Sequence, residues 1–197
     1  MGRKSLTKER TAQILDAFET CIVRHGLEGA TLQHVADEAG LRLSMINHYI
    51  GKRDALVKAM IARFIETYER DTAAFLQLLP HNNRLDHLLD FYFGAASLQY
   101  RPQDSIIMGE LMTLSGRDAA VREQILGVYR LIEQSFLDEI ERKYAGVSAE
   151  KIQQTAYGLM SLWYGNSSLI WLGFDQGRMK WMRESAEYII QQLEGRG

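Results

Sequence analysis

An all-α chain of about nine helices is what this sequence predicts, on three observations. Only 2 prolines fall in 197 residues, and the 16 glycines are spread along the chain. β-branched residues dominate no stretch, and apolar residues recur at spacings of three and four over most of the length. Short strands with frequent turns would show the opposite pattern. With 46% hydrophobic and 24% charged residues, the chain is able to bury a real core and is too polar for a membrane protein by bulk composition.

The first helix carries Ile14, Leu15, Phe18, Cys21 and Ile22 at helical spacing after Thr7, its expected N-cap, and stops at His25-Gly26. Thr31 caps a second helix with Leu32, Val35, Ala36 and Ala39 on one face, ended by Gly40 after barely two turns. Ile46, Tyr49 and Ile50 give a third short apolar face before Gly51. A long helix then starts near Arg53 with Leu56, Ala59, Met60, Phe64 and Ile65.

The order Ala36, three residues, Gly40, five residues, Ile46 has a physical meaning. It supplies a small residue where two helices cross, a glycine for the turn and an apolar anchor for the second helix. That is helix-turn-helix spacing. It leaves Arg42, Leu43, Ser44, Asn47 and His48 on the face that would enter a major groove, where Arg, Asn, Ser and His meet base edges or phosphates. Thr31, Gln33, Tyr49, Lys52 and Arg53 complete the expected DNA-contact set, the last two as phosphate contacts at the start of the fourth helix. The plain alternative is a three-helix corner with a solvated polar face.

The run Gly26, Thr31, Val35-Ala36, Ala39-Gly40-Leu41, Ile46, His48-Tyr49, Arg53-Asp54-Ala55-Leu56 resembles the N-terminal domain of the TetR family of bacterial transcriptional regulators, over about residues 8 to 56. The resemblance implies a dimer of all-helical subunits whose larger C-terminal domain binds a small molecule and thereby releases the operator. Within the family, Ile46-Asn47-His48-Tyr49 and Tyr157-Gly158-Leu159 are most similar to the repressors of choline-to-betaine synthesis. Departures are equally visible. The family often has Ser, Gly, Tyr, Phe and Lys where this chain has Arg42, Ser44, Asn47, Ile50 and Arg53. Arg42 cannot cap a helix, so Ser44 or the backbone turn must open the third helix, and Asn47 offers an amide suited to adenine.

Beyond residue 56, Asp86 to Tyr100 is aromatic-rich and closed by Arg101-Pro102, and Asp104 to Leu114 is short and nearly uncharged. Asp118 caps a long helix with Val121, Ile125, Val128, Ile132, Phe136 and Ile140 in phase, ending before Gly146. Ser148 caps the next. From Ile152 to Phe174 there is no charge at all, which is long enough to span a bilayer, at ~20 residues. Gln153, Gln154, Thr155, Ser161, Asn166, Ser167 and Ser168 interrupt its apolar surface, which favours a buried helix. Gly158, Ser161, Gly165 and Ser168 form a strip of small residues. With the last helix, from about Arg178, this strip reads either as a dimer face or as an ordinary core helix, and the resemblance tips it towards the dimer.

The formal charge of −2 hides an uneven distribution. Residues 1 to 56 hold eight Lys/Arg against seven Asp/Glu and only two aromatics, Phe18 and Tyr49; the other seventeen aromatics lie beyond. The division is therefore an N-terminal helix-turn-helix DNA-binding domain, 1–56, and a helical effector-binding and dimerisation domain, 57–197. Cys21 alone excludes a disulfide framework and a Cys-based zinc site, and Met1 to Arg10 lacks the apolar run of a signal peptide, so a cytoplasmic protein is expected.

No catalytic constellation is present. The five histidines show no metal-ligand spacing, and there is neither a glycine-rich phosphate loop nor a Gly-x-Ser-x-Gly turn. No metal and no cofactor are expected. A small-molecule effector is expected among Phe64, Tyr68, Tyr92, Met108, Met112 and Trp163, with Glu110 as either a cation partner or a solvated residue. Three classes of function stay open on the residues themselves: a ligand-responsive DNA-binding repressor that takes a palindromic double-stranded operator as a homodimer, a small all-α enzyme, and a helical adaptor that binds a protein through its N-terminal face.

Overall fold

The computed structural model describes residues 3–94, 102–174 and 176–194. Among these residues there are nine α-helices, one 3-10 turn and no strand. Two compact units share them, the first comprising Met1–Thr67 with Ile106–Ile125, the second Tyr68–Ser105 with Leu126–Gly197.

In the first unit, α1 (Arg3–Gly29) buries Ile14, Phe18, Cys21 and Ile22 completely or nearly so. It starts four residues ahead of Thr7, which is an interior residue and not the N-cap. Arg3 to Leu6 contain no Gly or Pro, so nothing stops the helix from extending backwards. The expected stop at Gly26 is a kink (φ 70, ψ 167), after which one more turn reaches Gly29. An L side chain at that φ would be strained, and a Cβ there would lie 3.2 Å from Glu110 Oε1. Helix α2 (Leu32–Ala39) and helix α3 (Leu43–Tyr49) pack on α1, and α4 (Arg53–Leu78) begins in this unit. Gln13 Nε2 donates to the Ala39 carbonyl at 2.9 Å, tying α1 to the end of α2. Arg63 on α4 reaches Asp16 at 2.7 Å and the buried Glu19 on α1. Helix α6 (Pro102–Ser115) contributes Ile107 and Leu111 to the core. Asp118 then caps α7 (Ala119–Lys143) as the sequence predicts, its Oδ1 accepting from the amides of Ala120 and Val121 at 2.9 and 3.2 Å.

In the second unit, α5 (Arg84–Phe93) opens two residues before the expected Asp86 and ends at Phe93. The expected continuation to Tyr100 falls on residues 95–101, outside the described ones. Val128, Ile132, Phe136 and Ile140 of α7 are fully buried, as their spacing demands. The charge-free segment forms α8 (Ala149–Trp171), opened at Ser148 without a side-chain cap. Only one side of it, Ile152, Ala156 and Leu159, is in the core. Gln176–Arg178 makes the 3-10 turn, and α9 (Met179–Gln191) buries Ala186 and Ile190. Arg183 Nε donates to Asp90 Oδ1 at 2.8 Å, joining α9 to α5. Among the described residues, no helix is long and apolar enough to cross a membrane.

Candidate nucleic-acid interface

The corner formed by α2 and α3 is built from a few residues. Thr31 sits in extended conformation ahead of α2 and its hydroxyl accepts the His34 amide at 3.2 Å. Gly40 takes the left-handed conformation (φ 63, ψ 31), and the Leu41 amide returns to the Ala36 carbonyl at 2.9 Å. Val35, Ala36 and Ile46, exposed by 1% or less, fill the crossing. The anchor spacing read from the sequence is thus a packed helix-turn-helix.

Helix α3 opens at Arg42, which occupies the N-cap position in extended conformation and makes no side-chain capping bond. Ser44 lies inside the helix, so the backbone turn does the work, with the Met45 amide donating to the Arg42 carbonyl at 2.8 Å. The guanidinium is left for solvent or a ligand. Arg42, Leu43, Ser44, Asn47 and His48 are all exposed and share the outward side of α3, while Tyr49 is half-buried with its ring edge-on to His48 at 5.0 Å. Gln33 and Thr31 are exposed at the head of α2, where Gln33 Nε2 donates to Asp37 Oδ1 at 2.7 Å.

The two cations at the start of α4 are placed differently. Lys52 is exposed. Arg53 is half-buried, donates to the Leu27 carbonyl and lies 3.7 Å from Glu28 Oε2, so it braces the end of α1. Glu28 also receives Arg117 from the turn before α7. Neither Glu28 nor Gln13 was singled out from the sequence. Glu28 gains its partners only when distant segments return to it, and Gln13, which accepts locally from Arg10 at 2.6 Å, gains its tie to α2 in the same way.

Of the expected effector residues, Phe64, Met108, Glu110 and Met112 belong to the first unit, and Tyr68, Tyr92 and Trp163 to the second. Phe64, Tyr68 and Tyr92 are buried, whereas Met108, Glu110, Met112 and Trp163 are half-buried. In the first unit the Glu110 carboxylate sits against the Gly26 kink. In the second, Tyr92 lies edge-on to Trp163 at 5.8 Å and packs on Phe136 at 4.9 Å, and its hydroxyl meets Ser135 Oγ at 3.3 Å. Burial pushes the Tyr92 phenol up to about 12, against the pull of its hydrogen bonds to Ser135 and Tyr68. Tyr129, which no sequence motif marks, has its ring edge-on to Trp163 at 6.3 Å and to Tyr164 at 5.6 Å. Its place beside the buried Val128 was the available signal. A further cleft of about 270 Å³, lined by Phe75, Leu78, Leu79, Pro80, His87, Asp90 and Phe91, was also not foreseen. Among the described residues, no group of three or more His, Cys, Asp or Glu could hold a metal ion.

No family model matches the sequence. The chain is 28% identical over 178 residues to the HTH-type transcriptional regulator BetI of Vibrio vulnificus, an alignment that covers 87% of this chain and 84% of that protein. Its fold matches a TetR transcription regulator from Haloarcula marismortui with a TM-score of 0.77 at 16% identity, covering 94% of this chain and 98% of the other. A TetR-family transcriptional regulator from Cytophaga hutchinsonii matches with a TM-score of 0.74 at 13% identity, over 97% of this chain and 98% of the other. The chain is therefore related in sequence to helix-turn-helix regulators over most of its length, and it has the all-helical fold of solved TetR-family regulators.

Proposed function

We propose that this chain, a helix-turn-helix transcriptional regulator of the TetR type, is a repressor that binds a palindromic operator as a homodimer and is released by a small-molecule effector. The outward side of α3 carries this reading. Arg42, Ser44, Asn47 and His48 are exposed together beyond a corner whose apolar side is closed by Ile46. A guanidinium suits guanine O6 and N7, and an amide suits adenine N6 and N7. Residues 1–56 act as the DNA-binding domain, with Thr31, Gln33, Tyr49 and Lys52 on phosphate or sugar, and Arg53 shaping the corner beside them. Residues 57–197 hold the effector and the dimer contact. The site of action is the cytoplasm, where the operator is.

Dimerisation through α8 and α9 is supported by what those helices leave uncovered. Tyr157, Tyr164, Leu169 and Leu172 at α8 and Trp181 and Tyr188 on α9 are exposed apolar groups, an unusual concentration for a surface without a partner. A Cβ added at Gly158 or Gly165 would meet nothing within 4 Å in the same chain, so no intrachain neighbour demands the small residues there. The effector must bind one state better than the other, since equal affinity for DNA-competent and DNA-incompetent forms shifts nothing.

Electrophoretic mobility with DNA from the gene's own promoter region, in low and moderate salt, tests the function. Binding that weakens with salt yet keeps its sequence preference is expected. Equal affinity for random DNA at every salt concentration would refute the repressor reading.

A further inference from the structure

The outward side of α3 contains one residue that phosphate and hydrogen-bonding chemistry leaves unexplained. Leu43 is 38% exposed, and its outward companions on the helix, Ser44, Asn47 and His48, are all polar. The corner does not need it, since Ile46, Val35 and Ala36 already close the crossing with 1% exposure or less. Taking α3 as the recognition helix of the proposed function, we infer that Leu43 reads the 5-methyl group of a thymine in each half-site.

The chemistry of the groove selects this partner. Base edges in the major groove present hydrogen-bond donors, acceptors and a single apolar group, the thymine methyl. An isobutyl side chain set against a cytosine amine or a purine N7 would strip water from a polar group and return no hydrogen bond. Against a methyl, both surfaces leave water together. Leu43 therefore discriminates by what it excludes as well as by what it touches.

Helix geometry fixes where that thymine lies. Leu43 and Asn47 are four residues apart on the same side of α3, separated by about 6 Å along the axis. Bases on one strand are spaced by about 3.4 Å. The thymine met by Leu43 thus falls within about two base steps of the adenine that the Asn47 amide is suited to, and each half-site carries an A·T-rich step under this turn of the helix. Arg42, immediately before Leu43, is exposed and makes no capping bond.

The test uses the full chain. Operators are first selected from a random DNA pool, and then each thymine of the selected site is replaced singly by 2′-deoxyuridine, which keeps base pairing and removes only the methyl. One thymine at the symmetric position of each half-site is expected to weaken binding by about four-fold per half-site when demethylated, the effect of losing one buried methyl. Leu43→Ala should bind the thymine operator more weakly than the unaltered chain and show no further loss at that deoxyuridine. Leu43→Met, which remains apolar, should retain the sensitivity. If Leu43→Ala fails to fold, Leu43→Ser, which has no γ-methyl, takes its place in the same comparison. A scan in which no thymine matters overturns the inference, as does a deoxyuridine loss that is undiminished in the Leu43 variant. Failure to select any site is a different result: it removes the repressor reading itself, before any thymine has been replaced.

Discussion

Glu139 on α7 takes the guanidinium of Arg84 through both carboxylate oxygens, at 2.8 to 3.0 Å. Arg84 also donates to the Leu79 and Leu76 carbonyls at 3.2 and 3.4 Å, where α4 ends with acceptors that its own backbone cannot satisfy. One planar group thereby closes a helix end and fixes α7 beside it, a geometry that an ammonium could not reproduce.

Glu139 is only 3% exposed, so removing its partner leaves a carboxylate buried with Arg142 alone at 3.4 Å. Arg84→Ala is expected to cost about 3–5 kcal/mol in urea-induced unfolding. The double variant Arg84→Met with Glu139→Leu should lose much less, because no uncompensated charge remains. Similar losses in both would contradict this account.

The recognition residues should separate by role. Arg42→Ala is expected to cost about 1–3 kcal/mol in operator affinity and to relax preference at one position of each half-site. Lys52→Ala should weaken all sequences alike and flatten the salt dependence by roughly one unit per subunit. Arg53→Ala should lower the melting temperature as well as the affinity, because Arg53 braces the Leu27 carbonyl. Specificity profiles from random-site selection distinguish these outcomes, and an unchanged profile for Arg42→Ala would remove it as a base reader.

Gly158→Leu and Gly165→Leu should leave the monomer fold intact, since the added groups point into space that the chain itself does not occupy. Sedimentation should nevertheless show a weakened dimer, with operator affinity falling in parallel. Circular dichroism checks the fold. A variant that stays dimeric would place the dimer contact elsewhere.

Alkaline pH should find Tyr92. Its phenol titrates near 10 in the unfolded chain and at about 12 in the folded one, so the unfolded state loses its proton first. The stabilisation is fully present below pH 10 and is lost as pH rises towards 12, by an amount on the order of 2 kcal/mol. Tyr92→Phe should flatten the fall in urea midpoint across that window. An unaltered slope in the variant would assign the loss to other groups.

An effector in the aromatic body should quench or enhance tryptophan fluorescence, given the contact of Trp163 with Tyr92 and Tyr129. Hydrophobic cations are expected to bind better than neutral compounds of equal size, since ring faces attract positive charge by ~0.5–2 kcal/mol per good contact. Trp163→Leu and Tyr92→Leu should each weaken the cation more than the neutral analogue. Equal losses for both ligands would rule out the cationic class.

Much of this molecule was legible in its sequence, and the reasons are specific. Gly40 had to leave the helix because a left-handed turn was needed between two short apolar faces, and Asp118 declared its helix by standing three residues ahead of Val121. Local rules of capping and periodicity suffice for such elements. Thr7 was misplaced as a cap because a threonine also tolerates a helix interior when no Gly or Pro precedes it. The tie between Arg53 and Leu27, and that between Gln13 and Ala39, join residues 26 positions apart through side chains whose spacing along the chain announces nothing. The exposed side of α3 was readable because its anchor, Ile46, could be counted; the place of Tyr129 beside Trp163 was not, because aromatic contacts across helices leave no periodic trace.

Position 42 carries a conflict between durability and purpose. A serine or aspartate there would accept an amide of the first turn of α3 and steady a helix of only seven residues by about 1 kcal/mol. Arginine forgoes that bond and leaves its side chain pointing outward. A screen for heat resistance alone would favour replacing it, and would return a tougher protein that reads DNA less well. On the proposed role of Arg42, the uncapped opening of α3 is where the chain gives up stability for recognition.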